Sequence, residues 1–201
     1  VRNELIKKRL EFYPKYVLKE WNQKLEEYLE GRISLEELKN AKARPRLLVK
    51  VKIVNRDLKF EPCNEEDNEK LWRTLEKLRQ LWRDPDIPTE LVEPYTSYGM
   101  PIQSWKFDKW FKLFNPRQLL ILVKLVKLIR EAGKRVEEEK LREGWSKEEA
   151  FKYAEAITTY LAIALLRMVD FNCSLTNMNV TNPWGVQISH ALATRGLSMQ
   201  F

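Results

Sequence analysis

The stretch Phe107–Lys134, FDKWFKLFNPRQLLILVKLVKLIREAGK, decides the fold. It opens on an aromatic and basic run, with Phe107, Trp110, Phe111 and Phe114 set among lysines. Asn115-Pro116 then starts a helix, because Asn is a good N-cap and a proline at the first helical position forfeits no intrahelical bond. The helix is predicted to run from Pro116 to about Arg142. From Leu119 to Ile129 it is apolar almost all round, interrupted only by Lys124 and Lys127, with Arg117 and Glu131 extending their line. So narrow a polar stripe belongs to a helix that needs partners on several sides. Arg117 and Gln118 stand in its first turn, where backbone N–H groups and the helix dipole favour an anion. They are candidate DNA contacts; a plain core helix with a solvated first turn is the competing explanation.

On the C-terminal side, Gly144-Trp145 turns the chain and Ser146-Lys147-Glu148-Glu149 is a capping box. The helix that follows, to about Val169, is apolar on most faces. Its small residues suit close antiparallel packing on the 116–142 helix. Asn182-Pro183 reads as the start of a last helix, stopped by Gly196. On the N-terminal side, Arg2 to Glu30 carries apolar residues at three- to five-residue steps, a helical period that Pro14 should break. Gly31 stops that helix, and Ser34 to Glu37 is a capping box for a short second one, to about Ala41.

Arg44 to Pro62 changes character. Leu47, Val49, Val51 and Ile53 alternate with Leu48, Lys50, Lys52 and Val54, the period of a strand. Asn55-Arg56-Asp57 is a turn and Leu58 to Glu61 a return strand. The result is a basic β-hairpin displaying Lys50, Lys52 and Lys59, preceded by Arg44 and Arg46. A two-stranded basic ribbon can enter a nucleic-acid groove, so Arg44, Arg46, Lys50 and Lys52 are further candidate DNA contacts. Lysines on an exposed hairpin also serve simply to block edge-to-edge aggregation. Asn64 caps the next helix, with Leu71, Trp72, Leu75, Leu78, Leu81 and Trp82 on its buried face. Asp84 to Ser104, with four prolines, is a long loop; Tyr95, Tyr98 and the adjoining Trp105 either stack on bases or pin the loop.

The expected fold class is therefore mainly α, a helical bundle with one small β-hairpin. It divides into N-terminal helices over 1–43, the basic hairpin over 44–62, and a helical domain over 63–201 built around the 116–142 and 146–169 helices. The net charge of +7 lies entirely in the first 60 residues, which hold 16 Lys/Arg against 9 Asp/Glu. Such a surplus suits a phosphate backbone, though solvated surface explains it as well. Cys63 and Cys173 make neither a disulfide framework nor a metal knuckle, and no signal peptide or bilayer-length apolar run is present. A reducing, cytoplasmic compartment and no membrane partner are expected.

A catalytic inventory is nearly empty. The single histidine, His190, has no nearby Cys or carboxylate in sequence, and the six glycines form no phosphate loop. Thr181-Asn182-Pro183-Trp184 approaches the Asp-Pro-Pro-Tyr pattern of amino-methylating enzymes but lacks the second proline. The chain begins with Val1 and ends on Phe201, and no charged residue occurs from Phe171 to Thr194. An internal segment of a larger protein is expected on that ground.

From about Arg44 onward the sequence resembles a family of prokaryotic, archaeal-type adenine-specific DNA methylases that carry an N-terminal domain of unknown function and a zinc-ribbon-like insertion. The stretches are PRLLVKVKIVNRDLKFEPCNEEDNEKLW, IPTELVEPYTSYGM, WFKLFNPRQLLILVKLVKLIREA, YAEAITTYLAIALLRMVDFNCSLTNMN and ISHALATRGLSMQF, in that order. The run Phe114 to Leu120 followed by the helix from Tyr153 is the most specific pairing. The resemblance implies methyl transfer from S-adenosylmethionine to adenine N6 in DNA, within a larger α/β methyltransferase of which this is an insertion-type region. It also implies that the cofactor loop lies before Val1 and the Asp-Pro-Pro-Tyr motif after Phe201. No catalytic, cofactor or metal residue is then carried by this chain. Its partners would be DNA and the remaining methyltransferase domain or subunit; a freestanding helical nucleic-acid-binding module and a scaffold for a separate catalytic subunit are the rivals.

Overall fold

The computed structural model describes residues 13–55, 57–92, 106–173, 177–179 and 187–189. Its order is α1 (Tyr13–Leu29), α2 (Leu35–Lys39), β1 (Val49–Val54), β2 (Asp57–Pro62), α3 (Glu65–Gln80), a 3-10 turn (Trp110–Leu113), α4 (Pro116–Arg142), α5 (Lys147–Phe171), β3 (Asn177–Asn179) and β4 (Gln187–Ser189). The protein is mainly helical with a two-stranded antiparallel hairpin, β1–β2, as the sequence predicts. It forms two compact units: residues 1–84, 90–94 and 101–112, and residues 85–89, 95–100 and 113–201.

In the first unit, α1 packs on α2 and α3. Trp21, Leu25, Tyr28 and Leu29 of α1, Leu38 of α2, and Leu71, Trp72, Leu75 and Leu78 of α3 are buried. Each contributes roughly 1.5–3 kcal/mol of transfer free energy. Phe111, also buried, meets Trp82 edge-on with centroids 4.8 Å apart. Pro14 stands second in α1, where a missing N–H breaks no bond inside the helix. The predicted capping box of Ser34 with Glu37 is present, and the predicted N-cap Asn64 forms one as well, with Asp67. Gly31 ends α1 at φ 85°, a left-handed conformation natural to glycine.

In the second unit, α4 and α5 form an antiparallel pair joined at Gly144 (φ 91°), with Asn115 capping α4 and Ser146 capping α5. Gly133 of α4 is buried, and a Cβ there would lie 2.6 Å from Thr158 Cγ2. The close approach of the two helices thus depends on that glycine. Arg130 pairs with Asp86 in the same unit.

The predicted last helix needs correction. Gln187–Ser189 is a strand paired antiparallel with Asn177–Asn179. The Asn-Pro cap signal has no apolar period of three and four behind it, and the polar, uncharged Asn177–Asn179 stretch supplies an extended partner instead. The expectations placed on residues 2–12, on Tyr95, Tyr98 and Trp105, on Asn182-Pro183 and on His190 lie outside the described residues.

Candidate functional site

The hairpin is built around a two-residue turn. Val54 pairs with Asp57, and Asn55 takes φ 52°, a conformation that Asn tolerates and that such loops demand at their first position. The register then fixes the faces, since directly paired residues share one. Val49 with Pro62, Val51 with Phe60 and Ile53 with Leu58 form one face, and Lys50 with Glu61, Lys52 with Lys59 and Val54 with Asp57 form the other. The ribbon is therefore amphipathic, apolar on one side and charged on the other.

The root of the hairpin is tied to α3. Leu47 N–H donates to Asn68 Oδ1 at 2.8 Å, while Asn68 Nδ2 donates back to Leu47 O at 3.2 Å and to Asn64 O at 3.0 Å. Cys63 N–H donates to Leu48 O at 2.9 Å. Lys50 Nζ donates to Asp67 Oδ2 at 2.8 Å. That hydrogen bond, joined by one from the Asn64 N–H, holds the Asp67 carboxyl down at about 2. Lys52 pairs with Glu61 at 2.7 Å and holds its carboxyl below the ordinary range.

The sequence-predicted DNA contacts take the following places. Arg44 donates to Lys39 O at 3.2 Å, and Arg46 meets Glu65 at 3.3 Å across an exposed pair. Lys50 and Lys52 are engaged with Asp67 and Glu61 as above. All four are in the first unit. Arg117 and Gln118 are in the second, in the first turn of α4. Gln118 Oε1 accepts from Asn115 N–H at 3.0 Å, completing the cap, and the Arg117 and Gln118 N–H groups both donate to Asn115 Oδ1. The Gln118 carbonyl is thus committed to the helix end, and the Arg117 side chain is exposed.

The ribbon shows its apolar face to solvent as well as most of its charged one. Ile53 is 78% exposed, Phe60 67% and Leu58 61%, with Val49 and Val51 each more than half exposed. This surface was in the sequence all along, as alternation at 49, 51, 53 and 58, 60, 62, and emerges once the two-residue turn sets the register. A second uncovered surface lies on α5. From Ala156 to Val169 its only charged residue is Arg167, yet Tyr160 is 75% exposed and Leu166 64%, with Ile163 more than half exposed.

A buried charge cluster has no sequence signal. The Lys112 side chain is 0% exposed, with Nζ 2.5 Å from Glu26 Oε2 and 2.6 Å from Asp108 Oδ1, while Lys109 Nζ holds Glu26 Oε1 at 2.5 Å. Burial raises the Glu26 carboxyl, but the hydrogen bonds and charges of Lys109 and Lys112 outweigh it and leave it below its usual value. Asp108 behaves likewise through Lys112. The cluster pins the 3-10 turn to α1 and has the character of a structural clamp.

Among the described residues, no group of three or more His, Cys, Asp or Glu is placed to hold a metal. Nor is any described helix long and apolar enough to cross a membrane. A cleft on α4 of about 230 Å³, lined by Leu128, Glu131, Ala132 and Arg135, falls short of the usual ~300–1,000 Å³ of a ligand pocket. Its Glu131 is already paired with Arg135. Comparison with protein-family models, with curated proteins and with solved structures finds no match to this chain.

Proposed function

We propose that the chain is the inserted helical region of an adenine-specific DNA methyltransferase, acting as a scaffold that packs on the catalytic body, with the first turn of α4 turned to the DNA. The observation that carries this reading is the uncovered apolar face of α5 around Tyr160, Ile163 and Leu166. A soluble helix keeps such a face for a partner. The residues of the most specific resemblance, Phe114 to Leu120 and the helix from Tyr153, lie on the cap of α4 and on α5, which pack against each other in one unit. The chemistry would belong to the catalytic body. S-adenosylmethionine would be held by that body, since this sequence has no glycine-rich loop. Scaffolding is favoured over direct DNA capture by the hairpin, since Lys50 and Lys52 are drawn into ion pairs with Asp67 and Glu61.

The test begins at the source locus. A glycine-rich cofactor loop in frame ahead of Val1 and an Asp-Pro-Pro-Tyr run in frame after Phe201 are expected; their absence from the locus overturns the reading. The intact polypeptide should transfer tritiated methyl groups from S-adenosylmethionine to adenine in duplex DNA. Tyr160→Ser with Leu166→Ser should lower that transfer at least tenfold. A freestanding nucleic-acid-binding module would instead show, for these 201 residues alone, DNA affinity falling steeply with salt.

A further inference from the structure

The α4–α5 pair leaves one flank uncovered. On α4, Ile121, Leu125, Leu128 and Ala132 recur at steps of four, three and four, and Ile121 and Leu128 are exposed. On α5, Tyr153, Tyr160, Ala164 and Phe171 recur at steps of seven, four and seven, and all four are exposed. At ~100° per residue, each strip stands about a quarter-turn from the line its helix buries against the other, in the same rotational sense. In an antiparallel pair of right-handed helices, that sets both strips on the same side. We infer that this flank is the interface between two copies of the chain, packed antiparallel as a four-helix bundle about a two-fold axis.

Register selects this occupant. Gly133 stands against Thr158, and one step up α4 is one step down α5. The midpoint of Leu125 and Ala132 is therefore level with residues 162–163 of α5. Residue 162 is also the midpoint of Tyr160 and Ala164, and again of Tyr153 and Phe171. One two-fold axis crossing both helices at that level lays Leu125 over Ala132 of the second copy, Tyr160 over its Ala164 and Tyr153 over its Phe171. Leu128 then meets its own counterpart. A large side chain faces a small one on each helix, and symmetry returns every contact, as an interface between identical surfaces requires. A partner of other sequence imposes no such symmetry on the strips. Area agrees: α5 has 25 residues, so the pair is about 37 Å long and about 20 Å across. Full overlap covers roughly 740 Å² per copy, and the total of roughly 1,500 Å² falls within the ~1,200–2,000 Å² of stable interfaces. Charge sets the direction. Residues 137–149, at the tip of the pair, hold six acidic residues against three basic ones. A parallel arrangement brings two such tips together, whereas the antiparallel one holds them at opposite ends. The inference goes beyond the methyltransferase reading and does not rest on it: Ile163 and Leu166 lie farther round α5 and stay open to a catalytic body.

The experiment is analytical sedimentation of the full 201-residue chain. A dimer is expected by about 100 μM, and a chain still monomeric there overturns the inference. Ile121→Gln with Leu128→Gln places a helix-forming side chain at two exposed positions. That variant should weaken the dimer at least tenfold and keep the circular dichroism of the unaltered chain. A dimer that survives it rests on another surface and overturns the inference as well. Orientation is read by cross-linking in a chain carrying Cys63→Ser and Cys173→Ser, which removes both free thiols. Leu128→Cys should then link to itself on mild oxidation, because position 128 stands beside the axis, whereas Lys134→Cys, on another side of α4, should not. No link at position 128, or an equal one at 134, overturns the antiparallel bundle, and this readout decides the matter if the glutamine variant misfolds. The assay holds neither DNA nor S-adenosylmethionine and alters no residue of α5, so its failure and that of the methyltransferase reading are separate results.

Discussion

Glu26→Gln should be the most destabilising single change in the buried clamp of the first unit. Glu26 serves two lysines, with Lys109 on one oxygen and Lys112 on the other. Gln leaves one carbonyl oxygen for one ammonium and turns an NH2 group toward the other. Lys112 cannot escape to solvent, because its side chain is 0% exposed, and only Asp108 would remain to neutralise it. Breaking a buried ion pair from one side in this way costs about 3–5 kcal/mol, about two to four decades in the folded-to-unfolded ratio. Lys112→Met should cost less, about 1–2 kcal/mol. It removes the trapped charge and keeps the apolar stem, while Glu26 retains Lys109 and Asp108 retains Lys106 at 3.6 Å. The double variant should then be no less stable than Glu26→Gln alone. Urea unfolding read by amide exchange along α1 isolates this unit, since the two units need not unfold together. If Lys112→Met loses as much as Glu26→Gln or more, the trapped-cation reasoning is wrong. The acid limb offers a second check. Both carboxyls sit below their ordinary values in the fold, so the unfolded chain takes up protons first. Their contribution should be complete above about pH 5 and disappear as the pH falls through the folded-state values.

Gly133→Ala gains helix propensity but drives a methyl into Thr158 Cγ2, and the net effect should be a loss of about 1–3 kcal/mol by thermal unfolding. Adding Thr158→Ser, which deletes that methyl, should restore the melting temperature; no recovery would mean the helices are held apart by something else. The Asp67 carboxyl should stay ionised to about pH 2 in a carbon-detected NMR titration, and Lys50→Met should move its midpoint up toward the ordinary aspartate value. The stability tied to Asp67 is present above the ordinary range and lost as the pH falls toward that midpoint. Arg117→Ala should weaken methylation by the intact polypeptide several-fold and leave the melting temperature unchanged, whereas a fall in melting temperature alone removes Arg117 from the DNA-contact assignment.

Local chemistry made much of this fold legible. Asn115-Pro116, Ser146 to Glu149, Asn64 to Asp67 and Ser34 to Glu37 each announce a helix start, because a cap is a contact between residues three apart. The hairpin was equally visible, from a period of two on either side of Asn55. The partners of its lysines were not visible in the same way. Lys50 meets Asp67 across 17 positions, a pairing with no local signature, and the register that places six apolar residues on one face follows only from the turn length. The Lys112 clamp is harder still, joining positions 86 apart. The DNA-contact candidates are polar groups in favourable local settings, and a local setting carries no information about long-range partners.

Asn68 has a mechanical consequence. Its side chain engages Leu47 through both N–H and C=O, as a neighbouring strand would, and a third bond anchors it to the Asn64 carbonyl at the start of α3. The ribbon is thus a lever clamped at its base, not a swinging arm. A force applied at its tip is transmitted as torque to the capped end of α3, whose buried Leu71, Trp72 and Leu75 lie in the core of the first unit. Replacing Asn68 by Ala would leave Lys50 with Asp67 as the remaining side-chain tie, and less of that torque would reach the helix.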